Sequence, residues 1–127
     1  MSIYKRDDVF PEWEPIPWDA TGPQVDAQER GFHHRALMSL TWTKVDWNAF
    51  PTEGIFGRDR DWFVQNDIEY IATSDDEDLV LIRNTWSGFP DPPEWGLASR
   101  PKGNDEAQWE RWGHFPRLPE AWTVPNA

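Results

Sequence analysis

Two short apolar runs separated by five polar residues constrain this chain more than any other feature. Ile68-Glu69-Tyr70-Ile71-Ala72-Thr73 is rich in β-branched and aromatic side chains, and Leu79-Val80-Leu81-Ile82 is continuously apolar. Neither reaches the ~10–12 residues that would argue for a helix, so both read as strands. Ser74-Asp75-Asp76-Glu77-Asp78 lies between them at the length of a hairpin loop. Side chains alternate along a strand, so Leu79 and Leu81 face one way and Val80 and Ile82 the other. A strand that is apolar on both faces belongs inside a sheet covered on both sides. Trp62-Phe63-Val64 is a third strand candidate, joined to the Ile68 run by Gln65-Asn66-Asp67. Asn and Asp in that joint tolerate turn geometry.

The same stretch concentrates negative charge. Asp61 to Ile82 contains seven acids and no Lys or Arg. Asp75, Asp76, Glu77 and Asp78 are expected to sit in water at the hairpin tip, where they discourage edge-to-edge aggregation. They also offer a negative contact surface to a basic partner, which speeds and orients encounter. They lack the spacing, the turn glycine and the distant Glu of an EF-hand calcium loop. Over the whole chain the net charge is −11, with an isoelectric point near 4.5. Residues 1–60 carry ten acids and seven bases (−3), and residues 61–127 thirteen acids and five bases (−8), so the excess lies in the half that holds the hairpin. A strongly acidic chain repels phosphates and anionic membranes, which disfavours direct nucleic-acid or membrane binding and favours a basic protein partner.

The 127 residues suit one domain with one core. Ten Trp and seven Phe make that core aromatic rather than aliphatic. The absence of cysteine excludes disulfides, thiolate catalysis and cysteine zinc sites. The opening residues MSIYKRDDVFPEWE hold no signal-peptide stretch, and no run approaches a membrane span, so a cytoplasmic location is expected.

Residues 1–22 read as an extended arm, because Pro11, Pro15 and Pro17 oppose helix while Phe10, Trp13, Ile16 and Trp18 argue against disorder. Thr21 and Gln24 have capping-box spacing, so a short helix is expected from Pro23 to Arg30, with Gly31 as its stop. A long strand follows over about 34–46, then a loop over 47–60. Arg58-Asp59-Arg60-Asp61 reads as surface ion pairs worth little each. Residues 87–127 read as an irregular, proline-rich arm with one short helix near 104–113, on which Trp109 and Trp112 share a face. The expected fold is therefore a single β-dominated α+β domain. Its core over 32–86 is a three- or four-stranded, mainly antiparallel sheet built from about 34–46, 62–65, 68–73 and 79–84, with one or two short helices and extended terminal arms.

The sequence offers no catalytic residue, cofactor motif or metal-ligand spacing. There is no phosphate-binding loop, and Ser39, Ser74, Ser87 and Ser99 lie in no nucleophile-elbow context. The three histidines, His33, His34 and His114, show no ligand spacing. The expected function is a non-catalytic, acidic protein-binding module, of the inhibitor, immunity-type or accessory-subunit kind, with nucleic-acid mimicry as a sub-case. Its contact residues would be Asp75, Asp76, Glu77 and Asp78 of the hairpin and Trp13, Trp18, Trp95 and Trp122 of the proline-rich segments. Trp42, Trp62 and Trp86 are assigned to the core. One alternative is binding of a small ligand or carbohydrate on exposed Trp. Another is a small enzyme that uses His34 or His114 as acid or base.

Overall fold

The computed structural model describes residues 13, 15, 22–45, 59–83, 94–104 and 106–125. Trp18, Trp86 and the loop over 47–58 lie outside the described residues. The described residues form a β-dominated α+β fold with two helices and a five-stranded sheet whose neighbouring strands pair antiparallel.

Helix α1 (Pro23–Ala36) begins with Pro at its first turn, where the missing N–H costs nothing. Its N-cap is Gly22, at φ 54° and without a side-chain capping bond, in place of the expected capping box. Asp26 in the first turn and His33, His34 and Arg35 in the last complement the helix dipole. The expected stop at Gly31 does not occur, and the helix runs on to Ala36. Gly31 is present for space rather than for termination. The Trp112 indole lies against the helix there, and a Cβ on residue 31 would collide with it. This continuation consumes the first part of the strand expected over 34–46. What remains as strand β1 is Thr43–Lys44. Just before it, Trp42 N–H donates to the Thr123 carbonyl and Thr123 N–H to the Leu40 carbonyl, a parallel bridge that ties the segment between α1 and β1 to residues near the C-terminus.

Trp62-Phe63-Val64 is helical, not a strand. Helix α2 (Arg60–Gln65) buries Phe63 and leaves Val64 exposed. Trp109 decides this geometry: it stacks on Trp62 at 5.5 Å and meets Phe63 edge-on at 5.6 Å, so both rings must project to one side. Asn66 Nδ2 donates to the Trp62 carbonyl at 2.8 Å and closes the helix. Asp67, at φ 55°, then turns the chain into β2 (Ile68–Thr73).

Strands β3 (Glu77–Arg83), β4 (Trp95–Pro101) and β5 (Glu110–Phe115) complete the sheet in the order β1-β2-β3-β4-β5. The expected alternation of β3 holds. Leu79 and Leu81 enter one core and Val80 and Ile82 the other. Two expectations fail at the C-terminal end. The irregular arm expected from residue 87 contains β4, which pairs with β3 along all seven of its residues. Its small residues Gly96, Ala98 and Ser99 have weak strand propensity, and ladders on both sides override it. The helix expected near 104–113 is instead a turn followed by β5. Trp109 and Trp112 therefore lie on opposite faces, Trp109 against α2 and Trp112 against α1.

The sheet is thus covered on both sides. The α1 face joins Phe32 and Ala36 to Leu79, Leu81, Leu97 and Phe115, with Trp13, Trp42, Tyr70, Trp95 and Trp122 around them. The α2 face is smaller and joins Phe63 to Ile68, Val80, Ile82 and Ala98.

Candidate functional site

The β2–β3 turn is built by Ser74. Its N–H donates to the Glu77 carbonyl at 2.8 Å, and its Oγ accepts the N–H groups of Glu77 at 3.1 Å and Asp76 at 3.4 Å. A serine hydroxyl that replaces backbone partners in this way closes a tight turn. The next turn of the sheet braces it. Lys102 N–H donates to the Asp76 carbonyl at 2.9 Å and Lys102 Nζ to the Ser74 carbonyl at 3.2 Å.

The four acids of this hairpin have three different fates. Asp75 and Asp76 are exposed. Glu77 is not available to a partner, because Arg35 of α1 binds it through Nε at 2.7 Å and Nη2 at 2.8 Å. The same guanidinium donates to the Gly31 carbonyl at 2.8 Å and lies 4.1 Å from the centre of the Trp112 ring. Glu77 therefore anchors α1 to the sheet. Asp78, expected in water, is 1% exposed. It belongs to β3 and stands opposite Arg100 of β4, on the face covered by α2. Burial pushes its carboxyl above the ordinary carboxylate range; Arg100 and Lys102 pull it down and Glu77 adds to the rise.

Beneath the tip lies a polar cluster centred on Arg100, which nothing in the sequence singled out. Arg100, 2% exposed, reaches Asp59 at 2.7 Å and lies 4.6 Å from the centre of the Trp109 ring. Asp59 was expected to form only weak surface pairs; it forms a buried one instead. Sequence carries no signal for that pairing, because it depends on α2 folding back across the sheet.

Of the four tryptophans expected at a partner surface, Trp18 lies outside the described residues and the other three turn inward. Trp13, Trp95 and Trp122 are all buried. Trp13 donates its indole N–H to the Trp112 carbonyl at 3.0 Å. Trp122 donates to the Arg35 carbonyl at 2.9 Å and packs against Trp42 and Phe115. Trp95 lies beside Tyr70, with the Arg83 guanidinium 5.2 Å from its ring centre. The proline-rich sequence around Trp122 misled because an irregular chain can still be pinned by its aromatics, and Trp95 stands in β4. Of the residues assigned to the core, Trp42 is buried and Trp62 is half-buried.

His34 is exposed on α1. His114, half-buried on β5 beside Gly96, has its pKa lowered by burial and then by Arg111. Among the described residues no group of three or more His, Asp or Glu side chains could hold a metal ion, and no helix is long and apolar enough to cross a membrane. At the far end of the hairpin the acids are paired: Glu69 meets Arg83 at 3.4 Å and Lys44 at 3.8 Å, and Glu94 meets Arg83 at 3.2 Å. Among the described residues, the exposed carboxylates of the hairpin that lack an ion pair are thereby Asp75 and Asp76 at its tip. Compared with protein-family models, curated proteins and solved structures, the chain matches none.

Proposed function

We propose that this chain is a non-catalytic binding protein whose Asp75–Asp76 tip engages a basic surface on a protein partner, as an inhibitor, immunity-type or accessory subunit. One observation carries the proposal: two exposed carboxylates stand on a turn whose backbone is held by Ser74 from within and by Lys102 from the next turn. A tip already fixed in place loses little conformational entropy on binding. Its charge, added to the net −11 of the chain, steers a basic partner toward it. A cleft that otherwise accepts nucleic acid is a basic surface of this kind, with carboxylates standing where phosphates would. The cysteine-free composition supports a reducing, cytoplasmic setting.

The test is a paired capture from host lysate with the wild type and an Asp75→Asn/Asp76→Asn variant, each eluted by a salt gradient. The proposal expects one stoichiometric protein that elutes from the wild type at raised salt and is lost from the variant. Equal recovery with both baits, or recovery of the baits alone, removes it.

A further inference from the structure

The outer end of the β4–β5 hairpin holds two separate parts of the molecule. Its turn, residues 102–109, is folded by local bonds. The Asn104 N–H donates to the Pro101 carbonyl at 3.2 Å, the Ala107 N–H to the Asn104 carbonyl at 3.2 Å, and the Glu106 N–H to Asn104 Oδ1 at 3.3 Å. At the start of this turn Lys102 holds the acidic tip, through its N–H to the Asp76 carbonyl at 2.9 Å and its ammonium to the Ser74 carbonyl at 3.2 Å. At the other end of the turn, and on the strands beside it, the same hairpin holds α2. Trp109 stacks on Trp62 at 5.5 Å and meets Phe63 edge-on at 5.6 Å. Arg100 reaches Asp59, the N-cap of α2, at 2.7 Å, and Arg111 donates to Oδ1 of Asn66, its C-cap. With six residues, α2 is too short to persist as a helix by itself, so it depends on these side-chain holds.

We propose that α2 is a clasp for the acidic tip: docked against Arg100, Trp109 and Arg111, it holds the β4–β5 turn where Lys102 braces Ser74 and Asp76, and when α2 lifts the tip loosens. Lys102 and Trp109 bound one internally bonded turn, so a shift at the Trp109 end is carried to the Lys102 end. Proteins open locally in contiguous cooperative units, and α2, the turn and the tip make up such a unit. Coupling is reciprocal, so loosening the tip must also loosen α2. A partner that needs the ordered tip binds best to the chain with α2 docked. That consequence rests on the function proposed above, whereas the coupling itself is a property of the free chain.

Amide hydrogen exchange on the full chain, followed residue by residue by NMR, tests the clasp. Trp62→Ala removes the ring that stacks on Trp109. It is expected to speed exchange of the Lys102 and Glu77 amides at the tip by roughly twofold to tenfold, the worth of one aromatic pair, beyond what its global loss of stability in urea explains. Leu118→Ala trims a half-buried side chain packed on the α1 face and is the control, expected to show no such excess. In the reverse direction, Ser74→Ala removes the hydroxyl that closes the tip and is expected to speed exchange of the Phe63 and Asn66 amides of α2. Tip amides that exchange in Trp62→Ala only as fast as the global loss allows overturn the proposal. So does an equal excess in Leu118→Ala, or α2 amides indifferent to Ser74→Ala. All these rates are read on the free chain, so they stand or fall apart from the partner capture.

Discussion

The two faces of the sheet handle buried polarity in opposite ways. On the α1 face the fully buried polar groups are mostly indole N–H groups met singly, and its one ion pair among the described residues, Arg35–Glu77, is matched one to one. Trp13 donates to the Trp112 carbonyl, Trp112 to Ser99 Oγ at 2.8 Å and Trp122 to the Arg35 carbonyl, although Trp42 Nε1 has no partner among the described residues. On the α2 face the polar groups are charges, and they must match in number as well as position. Arg100 stands among Asp59, Asp78 and the Trp109 ring, and Trp109 Nε1 has no partner among the described residues. A neutral donor on a large ring can be placed almost anywhere a carbonyl lies within reach. A buried ion is stable only if its partner remains, which makes the smaller face the more brittle one.

The largest expected effects set one face against the other. Arg100→Ala should cost about 3–5 kcal/mol, because it removes the buried partner of Asp59 and the cation opposite the buried Asp78. Phe115→Ala, which removes a fully buried ring packed against Phe32 at 4.6 Å, should cost a similar ~3–5 kcal/mol through lost packing. The distinction lies in rescue. Adding Asp59→Asn should recover part of the Arg100→Ala loss in urea unfolding and none of the Phe115→Ala loss. Equal behaviour in the two backgrounds would dissolve the contrast between the faces.

A smaller effect tests the α1 face alone. Gly→Ala within a helix usually stabilises, yet Gly31→Ala should destabilise by about 1–3 kcal/mol, because the Trp112 ring occupies the space. A gain in melting temperature would show that the indole moves aside at little cost. The smallest effect sharpens the picture of the α2 face. His114 is held below its ordinary pKa of 6.5, so the unfolded chain protonates first, and stability falls as pH drops below 6.5 toward the folded value. His114→Gln should remove that component. The Asp78 contribution runs the other way, so the two groups oppose each other on mild acidification.

The parts of this fold that were legible in sequence are those where local chemistry and tertiary demand agree. Ile68–Thr73 and the Leu79–Ile82 run are β-branched or apolar on both faces, and they form the inner part of the sheet. Where packing overrode local preference, the reading failed. Gly31 looked like a helix stop but is a seat for Trp112, and Trp62–Val64 looked extended but coils so that two rings can meet Trp109. Apart from Trp95 and Leu97, β4 is written in Gly, Ala, Ser, Arg and Pro, residues that propensity would not choose for a strand bonded on both sides. At the tip, the acidic run was visible but its division was not. Nothing in Asp75-Asp76-Glu77-Asp78 says that Glu77 will find Arg35 or that Asp78 will turn inward, since both outcomes depend on residues from other elements.

The bond from Trp13 to the Trp112 carbonyl has a consequence for how the chain comes into being. The two residues are separated by 99 positions. As the ribosome releases the chain, Trp13 emerges early and has no acceptor until β5 follows. Trp42 likewise waits for Thr123, and the Tyr70 hydroxyl for the Pro125 carbonyl. The α1 face is therefore a late event in synthesis, and until then its aromatic rings are without the partners that bury them.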